Sequence, residues 1–250
     1  MTRTLAFKLR RSWNLGRGTG GRWWRARQVC PPFFLKIGGA CASVAAPETT
    51  GSSSVFVEII GDDLYRKRLW EPRLPARPRI LDIGANFGLF SSWLKLMRPD
   101  AMVTAIEPNP EVLDHLRKNA AAFGFDVVAK AVAPRAEPVR LSTGCDTTIA
   151  QLLPPEDSRD GVEVSAIPPC EIAALGYPRI DLLKCDCEGG EQWLLQDPGL
   201  LSITDVIVME YHFDQVKQEW VREKLTHAGF DILVDDPSSA SGHVVAVRPR

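Results

Sequence analysis

Residues 80–94 read ILDIGANFGLFSSWL, and this stretch decides the fold class. A short apolar run, typical of a buried strand, ends at Gly84, and apolar residues at helical spacing follow Gly88. The stretch therefore predicts a strand, a tight bend and a helix. A carboxylate, Asp82, lies beside the bend, whose glycines tolerate positive φ angles and let a ligand approach the backbone.

The alternation of strand and helix continues to the end of the chain. It predicts a parallel sheet with helices on both faces and a C-terminal antiparallel hairpin. Such sheets bind ligands beyond the carboxyl ends of their strands, where the strand order reverses. The predicted strands are residues 79–84, 101–108, 126–133, 179–186, 203–212, 231–236 and 243–250, and the predicted helices are residues 88–97, 109–124, 191–196 and 214–230.

The region before residue 79 predicts a small unit that precedes the sheet. FFLKIGG and ACASVA are read as two strands around a Gly-Gly turn, and PETTGSSSVFVEII as a helix with a polar N-terminal cap. We expect a basic, disordered extension over residues 1–30 and a single folded domain over residues 31–250. Within that domain, residues 31–78 hold the hairpin and the first helix, and residues 79–250 form the core sheet.

The composition is that of a globular protein in a reducing compartment. Hydrophobic residues make up 45% of the 250 residues and charged residues 24%. No apolar run reaches the roughly 18 residues that a membrane span needs. The six cysteines lack the Cys-x-x-Cys spacing of zinc modules, so we expect reduced thiols, no metal site and a cytoplasmic location.

The formal net charge of −1 hides an uneven distribution. Residues 1–47 contain nine Lys and Arg and no acid, which leaves 21 bases against 31 acids in the remainder. The folded body is thus acidic, which disfavours attraction to nucleic-acid phosphates. The Arg- and Trp-rich segment 10–28 has three interpretations: a contact for RNA or for an anionic lipid surface, an organellar transit peptide, and a mobile surface extension.

The bend after the first core strand favours a ligand with both a carboxylate and a cationic amine. Asp82 supplies a negative charge, and the start of the following helix presents free N–H groups that bind a carboxylate or a phosphate. A nicotinamide-dependent oxidoreductase would need G-x-G-x-x-G at this bend, and the chain has D-x-G-x-x-x-G instead. The methionine end of S-adenosylmethionine is a ligand of the favoured kind.

A second carboxylate, Glu107, ends the next predicted strand, 19 residues after Gly88. A carboxylate at this position can accept both hydroxyls of a ribose. Together the two motifs predict a site for an amino acid joined to a nucleoside, with the adenine near residues 130–132. The competing interpretation is a tight strand–helix turn in which Glu107 is only an exposed acid.

Titratable side chains gather at the ends of two further predicted strands. They are Lys184, Asp186, Glu188, Glu210 and His212. The first three occupy alternate positions of DLLKCDCEGGE, so they share one face if the strand persists, and Cys185 and Cys187 then face the core. Such a cluster is costly unless it is paired or used, and it predicts either a structural ion-pair group or a catalytic site.

The segments ILDIGANFGLFS, AIEPNPEVLDHLRKNA and DLLKCDCEGGEQWLL resemble the motifs of the FkbM-family S-adenosylmethionine-dependent methyltransferases. The family pattern is D-x-G-A-N-x-G, E-P and K-x-D-x-E-G-x-E, and the resemblance is clear over residues 53–213. VFVEIIGDDLYR, with Tyr65, is similar to the family's segment before the sheet. Cys185 and Cys187 stand where aliphatic residues are more usual, a departure that concerns packing.

The resemblance implies a Rossmann-like class I methyltransferase fold with a mostly parallel seven-stranded sheet. It also implies O-methylation of a hydroxyl on a small molecule, a sugar or a lipid. The residues expected to bind S-adenosylmethionine are Asp82, Gly84, Ala85, Asn86, Gly88, Glu107 and Pro108. Those expected to border the methyl group, and to accept or orient the acceptor hydroxyl, are Asp186 and Glu188, with His212 as the alternative base.

Two further hypotheses concern the use of this site. The chain either binds S-adenosylmethionine without catalysis, or it methylates RNA with the help of its basic amino-terminal segment. Residues 142–168 are expected to form a polar loop that interrupts the sheet and contacts the substrate, particularly around Asp146 to Thr148.

Overall fold

The computed structural model describes residue 15 and residues 30–142, 150–154, 157–175 and 177–249. Its strands are β1 (Phe33–Ile37), β2 (Ala40–Val44), β3 (Arg79–Ile83), β4 (Met102–Ile106), β5 (Asp126–Val128), β6 (Ala131–Val132), β7 (Val139–Ser142), β8 (Leu152–Leu153), β9 (Gly161–Val164), β10 (Ala166–Ile167), β11 (Leu182–Cys185), β12 (Val206–His212), β13 (Asp231–Pro237) and β14 (Ser241–Val247). Its α-helices are α1 (Thr50–Phe56), α2 (Lys67–Trp70), α3 (Leu89–Met97), α4 (Pro110–Phe123), α5 (Pro169–Ala173), α6 (Glu191–Leu194), α7 (Pro198–Ser202) and α8 (Gln218–His227).

The central sheet has seven strands in the order β13-β14-β12-β11-β3-β4-β5. The neighbours from β12 to β5 pair in parallel, while β14 pairs antiparallel with both β12 and β13. The predicted fold class, including the C-terminal hairpin, is therefore confirmed. The chain moves from β3 to β4 and β5 on one side and returns to β11 on the other, so the strand order reverses between β3 and β11.

Helices cover both faces of this sheet because successive strand residues point to opposite sides. Ile80 belongs to a core cluster that also contains Leu94 of α3 and Leu116 of α4. Its neighbour Leu81 belongs to a second cluster on the other face, with Val221 of α8. β3 is thus packed against apolar side chains on both faces, which explains the continuous apolar run in its sequence.

The region before the sheet follows its sequence pattern. β1 and β2 pair antiparallel around Gly38 and Gly39, as predicted. Thr49 caps α1 by accepting a hydrogen bond from the Ser52 N–H at 3.1 Å, which confirms the predicted polar cap. A π-helical segment, Val57–Gly61, directly follows α1.

Two predictions about the middle of the chain are wrong. Residues 126–133 do not form one strand: β5 lies at the edge of the main sheet, and β6 pairs in parallel with β10 instead. β5 and β6 are separated by a turn in which the Lys130 N–H donates a hydrogen bond to the Val128 carbonyl.

Residues 142–168 were expected to form a polar loop, but their described part contains strands. β7, β8 and β9 form a small antiparallel sheet beside the main one. The predicted substrate contacts around Asp146 to Thr148 lie outside the described residues. Among the helices in the described part of the chain, none combines the length and the apolarity that crossing a membrane requires.

Candidate active site

A cavity opens at the carboxyl ends of β3, β4, β11 and β12, beside the point where the strand order reverses. The turns after β3 and β4, the loop after β11 and the end of β12 form its floor and sides. The helical segment 54–59 and residues of β7 and β8 complete its walls. The lining residues include Glu58, Gly84, Ala85, Asn86, Glu107, Pro108, Lys130, Val132, Leu152, Lys184, Asp186, Glu188, Glu210 and His212.

The bend after β3 needs both of its glycines for backbone reasons. Gly84 has φ +71°, and a Cβ there would lie 1.6 Å from the carbonyl oxygen of Asp186. Gly88 has φ +82°, and a Cβ there would lie 2.7 Å from Leu116 Cδ1 on α4. Gly84 is thus required both for close backbone packing and for its left-handed conformation, whereas Gly88 is required mainly for its left-handed conformation.

Glu107 is buried beside this bend and fixes it. Its Oε2 accepts a hydrogen bond from the Asn86 N–H at 2.8 Å, and its Oε1 accepts one from the Asn109 N–H at 2.9 Å. Burial raises the pKa of Glu107, while the two backbone donors act against that rise. Each carboxylate oxygen can accept a second bond, so Glu107 retains capacity for two ligand hydroxyls.

Asp82 lies below the cavity floor rather than in its wall. It is fully buried, and its Oδ2 accepts a hydrogen bond from Ser91 Oγ at 2.6 Å. Lys184 Nζ lies 3.4 Å from Asp82 Oδ1 and donates to the Gly84 carbonyl at 2.6 Å. Burial lowers the pKa of Lys184, but Asp82 and Asp186 outweigh it and raise the pKa, so the ammonium ion persists. The buried pair joins the ends of β3 and β11.

Asp186 faces the cavity from the loop after β11. Its Oδ2 accepts a hydrogen bond from Tyr65 Oη at 3.0 Å and lies 3.8 Å from Lys184 Nζ. Burial raises the pKa of Asp186, and Lys184 opposes that rise. The ion-pair group that the sequence offered as an alternative therefore exists, but it leaves the Asp186 side chain 27% exposed.

The loop after β11 turns Glu188 back into the cavity. β11 ends at Cys185, so the predicted strand alternation does not extend to Glu188, which instead has φ +51°. Glu191, fully buried, accepts hydrogen bonds from the Cys187 N–H at 3.0 Å and the Gly189 N–H at 2.8 Å. These two bonds hold the loop in the shape that presents Glu188.

The two cysteines of this loop differ in their environment. Cys185 is buried in the core, as predicted, but Cys187 is only partly buried and contributes to the cavity lining. Their sulfur atoms lie 3.7 Å apart. Both thiols pack against the same core cluster, Cys187 as a partly buried member, so the prediction that they face the core is confirmed although β11 ends before Cys187.

His212, at the end of β12, lies among carboxylates. Its Nε2 is 3.4 Å from Glu188 Oε2 and 4.0 Å from Glu210 Oε1, and its Nδ1 is 3.5 Å from Glu191 Oε1. Burial alone lowers the pKa of His212, but Glu191 and Glu188 outweigh it and raise the pKa from 6.5 to about 9. Burial raises the pKa of Glu188 to about 7, against the opposite effect of His212.

The structure brings most of the predicted site residues to one cavity. Gly84, Ala85, Asn86, Glu107 and Pro108 line one part of it, and Asp186, Glu188 and His212 line another. Asp82 and Gly88 lie behind the bend and support it through Lys184 and Leu116.

Three residues near the cavity received no role from the sequence. Glu58 stands in the wall, Glu191 supports the loop after β11, and Tyr65 bonds to Asp186. A single acid inside the apolar run VFVEII was the available signal for Glu58. The second acid of EGGE was the sequence signal for a role of Glu191. For Tyr65, the only signal was the resemblance of its segment to the FkbM family.

The residues fit the predicted S-adenosylmethionine. Glu107 has spare acceptor capacity for a ribose, and the apolar side chains of Ile106, Val132 and Leu152 form a wall suited to an adenine. The carboxylates of Asp186 and Glu188 lie farther along the same cavity.

Two groups of side chains in the described part of the chain have ligand atoms close enough together to bind one metal ion. Within each group these atoms lie within 4.8 Å of one another; the groups are Asp186, Glu188 and His212, and Cys185, Cys187 and Glu191.

Comparison with known proteins identifies the chain's relatives. A family model described as "Methyltransferase FkbM domain" matches residues 82–232. Methyltransferase sdnD of Sordaria araneosa is 40% identical over 67 residues, which cover 27% of this chain and 24% of that protein. The release factor glutamine methyltransferase of Deinococcus radiodurans is 44% identical over 64 residues, which cover 26% of this chain and 23% of the relative. The matches thus span about a quarter of each curated relative.

Solved structures share the fold at low sequence identity. A fibrillarin/Nop5p complex contains a chain that matches with a TM-score of 0.53 and 12% identity, covering 89% of this chain and 91% of its own. The fibrillarin pre-rRNA processing protein of Methanococcus jannaschii matches with a TM-score of 0.50 and 13% identity, covering 87% of this chain and 83% of its own. At such identities the likeness shows the class I methyltransferase fold alone.

Proposed function

The chain belongs to the FkbM methyltransferase family, and from that premise we propose that it transfers a methyl group from S-adenosylmethionine to a hydroxyl of a small molecule, a sugar or a lipid. S-adenosylmethionine is the methyl donor that the family and the fold indicate. When bound, it supplies a methyl group on a positively charged sulfur.

One observation carries the proposal: a single cavity contains a buried carboxylate beside a glycine bend at one end and a cluster of titratable side chains at the other. Glu107 and the bend at Gly84 form one end, and Asp186, Glu188 and His212 form the other. A transferase needs the donor and the acceptor held in line in one water-poor site, because alignment supplies much of the rate. This arrangement supports catalysis over simple retention of the donor.

The donor end is formed mainly by backbone. We assign the ribose hydroxyls to Glu107 and the amino-acid end to the N–H groups and carbonyls of residues 84–86, with Pro108 flanking the nucleoside. Asp82 acts indirectly in this proposal. It holds Lys184, whose ammonium group binds the Gly84 carbonyl at 2.6 Å and fixes the bend.

Three side chains at the acceptor end of the cavity have different proposed roles. Glu188 has a pKa of about 7, which suits a general base that removes the proton of the acceptor hydroxyl near neutral pH. General-base catalysis of this kind raises a reaction rate by about 10²–10⁴-fold. Asp186 accepts a hydrogen bond from the acceptor hydroxyl and orients it. His212, with a pKa of about 9, is protonated at pH 7, so it stabilises ionised Glu188 rather than acting as the base.

Two measurements test the proposal. Isothermal titration with S-adenosylmethionine should give saturable binding to the full chain. Incubation with labelled S-adenosylmethionine and a host-cell metabolite and glycolipid extract should place label on one hydroxyl-bearing compound, identified by mass analysis. Label on a nitrogen or carbon atom, or no label on any compound, would contradict the proposed acceptor chemistry.

A donor-binding protein without catalysis would bind S-adenosylmethionine and label no compound, so labelling by wild type separates it from the proposal. The variant Asp186→Ala/Glu188→Ala then tests whether these two residues take part in the transfer. The proposal expects this variant to bind S-adenosylmethionine within about threefold of wild type and to lose methyl transfer. Undiminished transfer would exclude both residues from catalysis.

An RNA acceptor is the second candidate because residues 1–47 contain nine Lys and Arg and no acid. It predicts labelling of total RNA that falls when residues 1–30 are deleted. Hydroxyl transfer to a small acceptor should survive that deletion, so the two candidates give opposite results.

A further inference from the structure

Tyr65 reaches the candidate active site from outside the part of the chain that matches the family model. It precedes the matched residues 82–232, and it meets Asp186, which lies 121 residues later in the chain. The Tyr65 side chain is buried, and its hydroxyl donates to Asp186 Oδ2 at 3.0 Å. A buried hydroxyl bonded to an ionisable partner at the cavity edge does more than fill space, since phenylalanine would pack equally well.

The ring and backbone of Tyr65 are both held in place. Phe90 packs edge-on against the ring with centroids 5.4 Å apart, and Trp70 Nε1 donates to the Tyr65 carbonyl at 2.7 Å. Asp63 Oδ1 accepts a hydrogen bond from the Lys67 N–H at 2.9 Å and so fixes the next helix. The hydroxyl is therefore presented from a rigid segment.

The contacts of Asp186 are unequal at its two oxygens. Within the described part of the chain, the Tyr65 hydroxyl and the Lys184 ammonium group both contact Asp186 through Oδ2. Lys184 is itself fixed by the Gly84 carbonyl at 2.6 Å. Two fixed groups at one oxygen set the rotation of the carboxylate and leave Oδ1 for a ligand.

We propose that Tyr65 is a positioning residue that orients Asp186, so that Oδ1 receives the acceptor hydroxyl. The inference rests on the proposed function, because it takes Asp186 as the group that orients the acceptor. Burial and the adjacent Asp186 raise the pKa of Tyr65 well above its usual value, so the phenol remains a donor across the working pH range.

The variant Tyr65→Phe tests this role because it removes only the hydroxyl. We expect kcat for labelled-methyl transfer into the extract to fall about 10-fold, as is typical of a lost bond to a charged group, with the Kd for S-adenosylmethionine changed less than twofold. In an Asp186→Ala background the same change should cause no further loss, because the bond is already absent. A purely structural role would lower activity equally in both backgrounds.

Tyr211→Phe is the matched control. Tyr211 of β12 is also buried and donates to an aspartate, Asp235 Oδ1 of β13, at 2.8 Å. It should lose stability comparable to Tyr65→Phe and keep wild-type kcat. Equal kcat for the two variants would overturn the proposal.

A measurement without an acceptor separates this inference from the proposed function. In ¹³C-carboxyl NMR titrations of the full chain with S-adenosylhomocysteine, Tyr65→Phe should raise the pKa of Asp186, because the bond stabilises the ionised form. Tyr211→Phe should leave it unchanged. An unmoved Asp186 titration would overturn the role of Tyr65, whereas absence of methyl transfer by wild type would contradict only the proposed function.

Discussion

The carbonyl oxygen of Asp186 lies 1.6 Å from where a Cβ on residue 84 would stand, so Gly84 and Asp186 are in backbone contact. The glycine bend after β3 and the loop after β11 are therefore one structural unit, although they are far apart in sequence. Lys184 reinforces the same contact by donating to the Gly84 carbonyl at 2.6 Å.

Gly84→Ala should disrupt this unit. The new Cβ overlaps a backbone atom, and φ +71° is itself unfavourable for alanine, so we expect a loss of about 3 kcal/mol or more in the free energy of unfolding. Thermal and urea denaturation measure it. Gly39→Ala is the control, since its Cβ would meet nothing within 4 Å. A Gly84→Ala protein as stable as that control would show that the bend is placed incorrectly.

Glu107→Gln should weaken binding of S-adenosylmethionine by about 10-fold or more. The amide would place a donor against a backbone N–H of Asn86 or Asn109, and a neutral acceptor binds ribose hydroxyls less strongly. Isothermal titration measures the Kd. The control, Glu137→Gln, changes a side chain that is 76% exposed and should bind like wild type. Equal affinity of the two variants would remove Glu107 from the donor site.

The pH dependence of kcat should be bell-shaped. Activity should rise as pH passes about 7, where Glu188 loses its proton, and fall above about 9, where His212 loses its proton. The two limbs belong to the coupled group rather than to single residues. Glu188→Gln should abolish the lower limb along with most of the activity. A profile that is flat from pH 6 to 8 would argue against Glu188 as the base.

His212 should also make stability depend on pH. Its pKa in the folded protein, about 9, exceeds the ordinary 6.5, so its contribution is complete below pH 6.5 and is lost as pH rises to 9. The change amounts to at most about 3 kcal/mol. Urea denaturation of wild type should show the loss, and His212→Gln should reduce it. His227→Gln, on the exposed face of α8, should keep the wild-type dependence.

Much of the fold and the location of the site could be predicted from the sequence. The periodicity of apolar residues and the spacing of the glycines predicted β3, α3 and α4. In a parallel sheet the carboxyl ends of the strands lie at the same edge, whichever loops connect them. The sequence pattern therefore predicts Glu107 and Asp186 at one edge of the sheet.

Side-chain directions, and contacts between residues distant in the chain, could not be predicted from the sequence. The pattern did not show that Asp82 lies below the floor, because that depends on its pairing with Lys184 from another strand. It did not show the turn that returns Glu188 to the cavity, because that depends on Glu191 bonding to backbone N–H groups. Tyr65 meets Asp186 across 121 residues, a separation that no local spacing encodes.

The most direct test is a crystal structure of the full chain with S-adenosylhomocysteine. The account predicts both ribose hydroxyls on the Glu107 carboxylate and the sulfur atom facing Asp186 and Glu188. A nucleoside bound elsewhere, or a Glu107 carboxylate that contacts only Asn86 and Asn109 while the ligand occupies the cavity, would contradict it.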